Sequence, residues 1–126
     1  MTPQQTAPVF LNLFRSRLPA GAVASIAHRI SGVLLFLSLP FLAWLLDLSL
    51  QGGEGYERAI ALLQSTGVRL ASVVLVWSLL HHLVAGIRFL LIDVHLGVSM
   101  PAARLSAWFA NLAAALMALL YAWWVL

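Results

Sequence analysis

The chain has no cysteine, no lysine and only four acidic side chains among its 126 residues. Without cysteine it can form no disulfide, thiolate nucleophile, iron–sulfur ligand or thioether attachment of a c-type haem. A charged content of 9% excludes an ordinary soluble domain, in which about a quarter of residues are charged. The net charge of +3 rests on arginine alone. In a chain that is 63% hydrophobic, the place of those arginines relative to the apolar runs matters more than their sum, so no nucleic-acid partner is expected.

What fills the chain instead is apolar sequence in three runs, each able to supply the ~20 residues a spanning helix needs. The expected fold is all-α: an integral membrane protein with three transmembrane helices. Residues 1–21 read as an N-terminal arm and residues 22–126 as the anchor domain, with spans near 22–50, 68–92 and 102–126. The arm carries Pro3, Pro8 and Pro19 and no long apolar core, so it does not read as a signal peptide. Its Pro8–Phe14 strip, followed by Arg15 and Arg17, suits the membrane surface. Pro19 and Gly21 are expected to break the chain before span one, and Pro40 to bend it.

Between the spans, Gln51–Glu57 reads as a turn-rich loop, Glu57–Thr66 as a short amphipathic lead-in, and Gly97–Pro101 as a second loop. Asn111 is the strongly polar group inside span three and is expected to face a partner helix. Tyr121, Trp123 and Trp124 form an aromatic belt at its end. Arg15, Arg17, Arg29, Arg88 and Arg104 fall on the side of the N-terminus, against Arg58 and Arg69 on the other. The positive-inside rule then places the N-terminus in the cytoplasm and the C-terminus outside.

The informative stretch is His81-His82-Leu83-Val84-Ala85-Gly86-Ile87-Arg88, two imidazoles and a guanidinium inside a span. Counted from Asp93 at 1.5 Å per residue, His82 lies about 16 Å deep, near mid-membrane, and Arg88 about 9 Å nearer the surface. An Arg at a helix centre costs roughly 2.5–3.5 kcal/mol on insertion scales, so intramembrane ionisable groups point to a function. Neutral imidazole is a good iron ligand, which makes haem the first candidate cofactor.

Helical spacing puts Ser25 and Arg29 on one face of span one, with His28 and Gly32 on an adjacent one. In span two, His82, Gly86 and Phe89 form one stripe, and His81 with Arg88 another. Antiparallel packing would bring Ser25, His28, Arg29 and Arg88 to one end. The residues alone leave simpler roles open. His82 could bond a neighbouring helix, Arg29 could snorkel to the interface, and Ser25 could bond its own backbone. Arg88 and Asp93 could be topology and helix-end charges, and His81 suits packing or a polar network.

Ser25-x-x-His28-Arg29-x-Ser31-Gly32 in span one, with His82-x-x-x-Gly86-Ile87-Arg88-x4-Asp93 in span two, resembles the cytochrome b556 membrane-anchor subunits of succinate dehydrogenase, the larger anchor chain of respiratory complex II. The resemblance extends to the Pro8-Val9-x-Leu11-x-Leu13 arm and the loop lengths. It implies a multi-chain haem-binding bundle in a bacterial inner membrane, with the C-terminus periplasmic. His82 would be one axial iron ligand of haem b, the second coming from a sister anchor subunit. Ser25 and Arg29 would line a ubiquinone site beside the iron–sulfur subunit, and His28 and Arg29 would approach the haem propionates.

Succinate oxidation would belong to an FAD-bearing flavoprotein subunit, since no residue here looks able to act on succinate, and electrons would cross iron–sulfur clusters to quinone. Phe89 departs from the pattern, because many relatives carry a His there. The alternatives are a fumarate reductase anchor, whose direction the motifs do not fix, and a small non-redox membrane accessory protein.

Overall fold

A computed structural model describes residues 18–126, so the Pro8–Phe14 strip, Arg15 and Arg17 lie outside the described residues. Among the described residues four helices follow one another: α1 (Ala20–Leu50), α2 (Gly53–Gln64), α3 (Thr66–Asp93) and α4 (Met100–Val125). Three of them, α1, α3 and α4, are long and apolar enough to cross a membrane, with 31, 28 and 26 residues against the ~20 required. The all-helical, three-span expectation therefore holds.

The helix ends correct the sequence reading in two places. Pro19 does precede α1, in an extended conformation as its N-cap, but Gly21 is already in the first helical turn rather than in a break. The expected seven-residue loop after α1 shrinks to Gln51 and Gly52, because Gly52 takes the reversal alone at φ +93°. The chain then turns straight into α2. A Cβ at Gly55 would collide with the Leu48 carbonyl oxygen, so this glycine lets α2 fold back tightly on α1. Gly55 and Ala59 form its buried side, while Arg58 and Glu54 pair on its exposed side at 2.6 Å. The amphipathic lead-in is thus a complete helix that begins earlier than expected and stops at Ser65.

At the far end of α3 the chain leaves through a paired cap. The His95 N–H donates to the Ile92 carbonyl at 2.9 Å and the Leu96 N–H to the Leu91 carbonyl at 2.8 Å. His95 itself sits at φ +64°, the left-handed position that glycine usually fills. Pro101 then opens α4 within its first two positions, where a missing N–H leaves no bond unmade.

α3 packs against both α1 and α4, which also touch each other. The interior is made of small and polar residues. On α4 the buried stripe is Ala107, Ala110, Ala114 and Ala118; on α3 it is Ser78, His81, Ala85 and Arg88. The largest fully buried side chains are His81, Ser31 and Ser78, while Phe36, Leu37, Leu116 and Leu119 face outward. This is the packing expected where lipid solvates the large apolar groups and small residues let backbones approach. It leaves room inside the bundle for polar side chains at the α1/α3 and α3/α4 contacts.

The two ends of the bundle are marked by arginines. Arg88 stands beside the start of α4, donating from Nε to Ser106 Oγ and from Nη2 to the Ala103 carbonyl, both at 3.0 Å. Arg69 reaches the Val125 carbonyl at 3.3 Å at the opposite end, where Ser72 and Tyr121 share a hydrogen bond of 3.1 Å.

Candidate functional site: the paired histidines of α3

His81 and His82 are consecutive, so they leave α3 about 100° apart and meet different neighbours. His82 faces α1. Its Nδ1 lies 3.1 Å from the His28 carbonyl oxygen and 3.3 Å from Ser31 Oγ. A carbonyl only accepts, so Nδ1 carries the proton and Nε2 is left with its lone pair free. Ser31 Oγ donates its own proton to the same carbonyl at 2.8 Å, which ties both groups to one point on α1.

The ring of His28 stacks on that of His82, with centroids 4.1 Å apart and planes 10° from parallel. Phe89 meets His28 edge-on at 5.3 Å. Two glycines make this approach possible. A Cβ at Gly32 would sit 2.9 Å from His82 Cε1, and one at Gly86 would sit 3.4 Å from His28 Nε2. The Ser31-Gly32 pair and the His82, Gly86, Phe89 stripe thus come together at one α1/α3 contact.

His81 faces α4 and is buried. Its Nε2 lies 2.9 Å from the Asn111 side-chain amide, so this ring nitrogen is engaged in a hydrogen bond to α4. His81 Nδ1 and Asn111 Nδ2 are buried without a hydrogen-bond partner. Asn111 therefore faces a helix of this same chain. The neighbouring histidines engage opposite ring nitrogens: His82 uses Nδ1 and keeps Nε2 free, while His81 uses Nε2.

The other singled-out residues separate. Ser25 is half-buried one turn before Arg29, and Arg29 is exposed on α1. Arg88 shares the N-terminal end with them, but its guanidinium is drawn to α4. Its Nε and Nη2 donate to Ser106 Oγ and the Ala103 carbonyl on α4, and not to His28 or His82 on the α1 side. Sequence reasoning missed these acceptors, and it also missed the His28 backbone carbonyl. The signal for His81–Asn111 was present: two isolated polar groups on facing spans have few other places to go.

Among known proteins, residues 3–122 match the family described as succinate dehydrogenase/fumarate reductase transmembrane subunit. The succinate dehydrogenase cytochrome b556 subunit of Coxiella burnetii is 38% identical over 102 residues, covering 80% of this chain and 82% of the relative. That of Rickettsia felis is 30% identical over 92 residues, covering 73% and 71%. With nearly its whole length matched and its three spans and short loops in place, the chain belongs to the succinate dehydrogenase/fumarate reductase transmembrane-subunit family.

Proposed function

We propose that this chain is the cytochrome b anchor subunit of a succinate:ubiquinone oxidoreductase, with His82 as one axial ligand of haem b. The observation that carries this reading is which ring nitrogen each histidine leaves free. His82 has its Nδ1 proton committed to the His28 carbonyl and its Nε2 free, the form in which metal-binding imidazoles are oriented by a backbone acceptor. His81 has its Nε2 committed to Asn111 instead. His28, stacked flat on His82, limits how far the ligand ring can swing, and the absent side chain of Gly32 gives that ring its place against α1. A site built this way fits a porphyrin iron, which supplies one-electron chemistry when bound.

His28 and Arg29 would sit toward the haem propionates. Ser25 and Arg29, one turn apart at the same end of α1, supply a hydroxyl and a guanidinium for a ubiquinone carbonyl oxygen. Reduction builds negative charge on that oxygen, and fixed donors stabilise it. The assembly requires a second small anchor subunit for the other axial histidine, an iron–sulfur subunit, and a flavoprotein on which succinate is oxidised. With more arginines at the end that holds the start of α1, the N-terminus lies in the cytoplasm and the C-terminus in the periplasm, across a bacterial inner membrane.

A reduced-minus-oxidised spectrum of the purified complex tests the assignment. The wild type is expected to give a b-type α-band. His82→Leu should lose it or turn high-spin, while His81→Leu keeps it. A band lost with His81→Leu and kept with His82→Leu would transfer the ligand role, and no band in the wild-type complex would end the haem reading.

A further inference from the structure

Between the start of α1 and the start of α4 lies an open groove of about 970 Å³. Its walls include Leu18, Leu105 and Trp108, and two guanidinium groups, those of Arg88 and Arg104, line it. Arg88 is buried and held in place through Ser106 and the Ala103 carbonyl, so its charge is fixed at the wall. Arg104 is exposed, one turn into α4. A Cβ at Gly21 would stand 3.8 Å from Arg88 Nη2, so the start of α1 runs close beside that guanidinium.

Neither arginine has a carboxylate partner. Among the described residues the one ion pair is Arg58–Glu54, at the other end of the bundle. Three of the chain's four acids, Asp47, Glu54 and Glu57, lie at that other end too, and Asp93 at the end of α3 pairs with neither Arg88 nor Arg104. The groove also has a depth profile. Arg104 stands at the mouth of the span, and Trp108 follows one turn, about 6 Å, deeper, beside the exposed Leu105.

We propose that this groove binds the phosphate of an anionic phospholipid from the leaflet on the N-terminal side, with an acyl chain lying along Leu105 and Trp108. Guanidinium groups bind phosphate oxygens through paired N–H donors, and basic pockets between spans collect anionic headgroups. An uncharged quinone would leave the two unpaired charges uncompensated. A phosphodiester at headgroup depth neutralises them, and its acyl chain covers apolar wall that stands exposed among the described residues.

The test uses the purified complex in nanodiscs of phosphatidylglycerol or phosphatidylcholine, with lipid retention read by native mass spectrometry. Wild type should retain phosphatidylglycerol in preference to phosphatidylcholine. Arg104→Gln, at an exposed position that leaves the fold intact, should lower that retention about fivefold, the factor for about 1 kcal/mol per surface arginine. Arg58→Gln, which removes one positive charge at the other end, should leave it unchanged. Equal phosphatidylglycerol retention in wild type and Arg104→Gln would overturn the proposal, as would equal retention of the two lipids. Displacement of phosphatidylglycerol by excess inorganic phosphate would make the groove a free-anion site and overturn it as well.

Discussion

The imidazole of His82 is held on two sides by residue 28: its Nδ1 donates to the His28 carbonyl at 3.1 Å while the His28 ring lies against its face at 4.1 Å. One residue of α1 thus sets both the tautomer and the plane of a side chain on α3. Any change that pushes these two helices apart, or pushes the ring between them, should appear in whatever His82 binds.

Gly32 and Gly86 permit this contact to different degrees, and their replacement should show it. The Cβ of Gly32→Ala would press on His82 Cε1 at 2.9 Å, closer than real Cβ contacts, so the ring must move. Gly86→Ala meets His28 Nε2 at 3.4 Å, which small shifts absorb. Haem content and the low-spin signal of the assembled complex should therefore fall markedly in Gly32→Ala and little in Gly86→Ala.

Arg29 is exposed on α1 and free to meet a ligand or partner arriving from that side. Removing a charged donor that strengthens its bond as charge develops costs roughly 1.5–3 kcal/mol, about tenfold to a hundredfold in rate. Arg29→Leu should slow succinate-driven quinone reduction by that factor while succinate oxidation with a soluble artificial acceptor persists. Equal loss of both activities would mean failed assembly.

Asn111→Leu would leave the buried Nε2 of His81 without its hydrogen-bond partner. A buried polar group left unpaired costs about 1 kcal/mol or more. The midpoint of detergent-induced unfolding should drop accordingly. Adding His81→Leu should restore part of the loss, because two apolar groups then face each other where one polar group was stranded. A double variant weaker by the sum of the two single effects would mean that the bond is not the coupling between these positions.

His95 caps α3 at φ +64°, a conformation that costs a residue with a Cβ of the order of 1 kcal/mol. His95→Gly should keep the Leu96–Leu91 and residue 95–Ile92 bonds and raise the unfolding free energy by about that amount, read as a higher unfolding midpoint. An unchanged or lowered midpoint would show that the imidazole makes a compensating contact in the assembly.

The three spans were legible because apolar length is a local property: ~20 residues without a charge can only be satisfied in lipid by a helix. The stripes were legible for the same reason, since helical geometry alone puts His82, Gly86 and Phe89 on one face and His81 with Arg88 on another. The loop after α1 was misread because glycine content signals a turn without saying how few residues it needs. One positive φ at Gly52 and one bare backbone at Gly55 compress it.

What the chain alone could not announce was which acceptor each polar group would find. His28 offers His82 a backbone carbonyl, an atom every residue carries and no pattern distinguishes. Arg88 turned to α4 because the Ala103 carbonyl and Ser106 stood within reach, 15 and 18 residues further on. Span number, facing stripes and the sidedness of charge follow from residue types and a 3.6-residue period. Tautomer, ring stacking and the direction a guanidinium takes depend on gaps of a few ångströms between helices, and those distances exist only once the helices have packed.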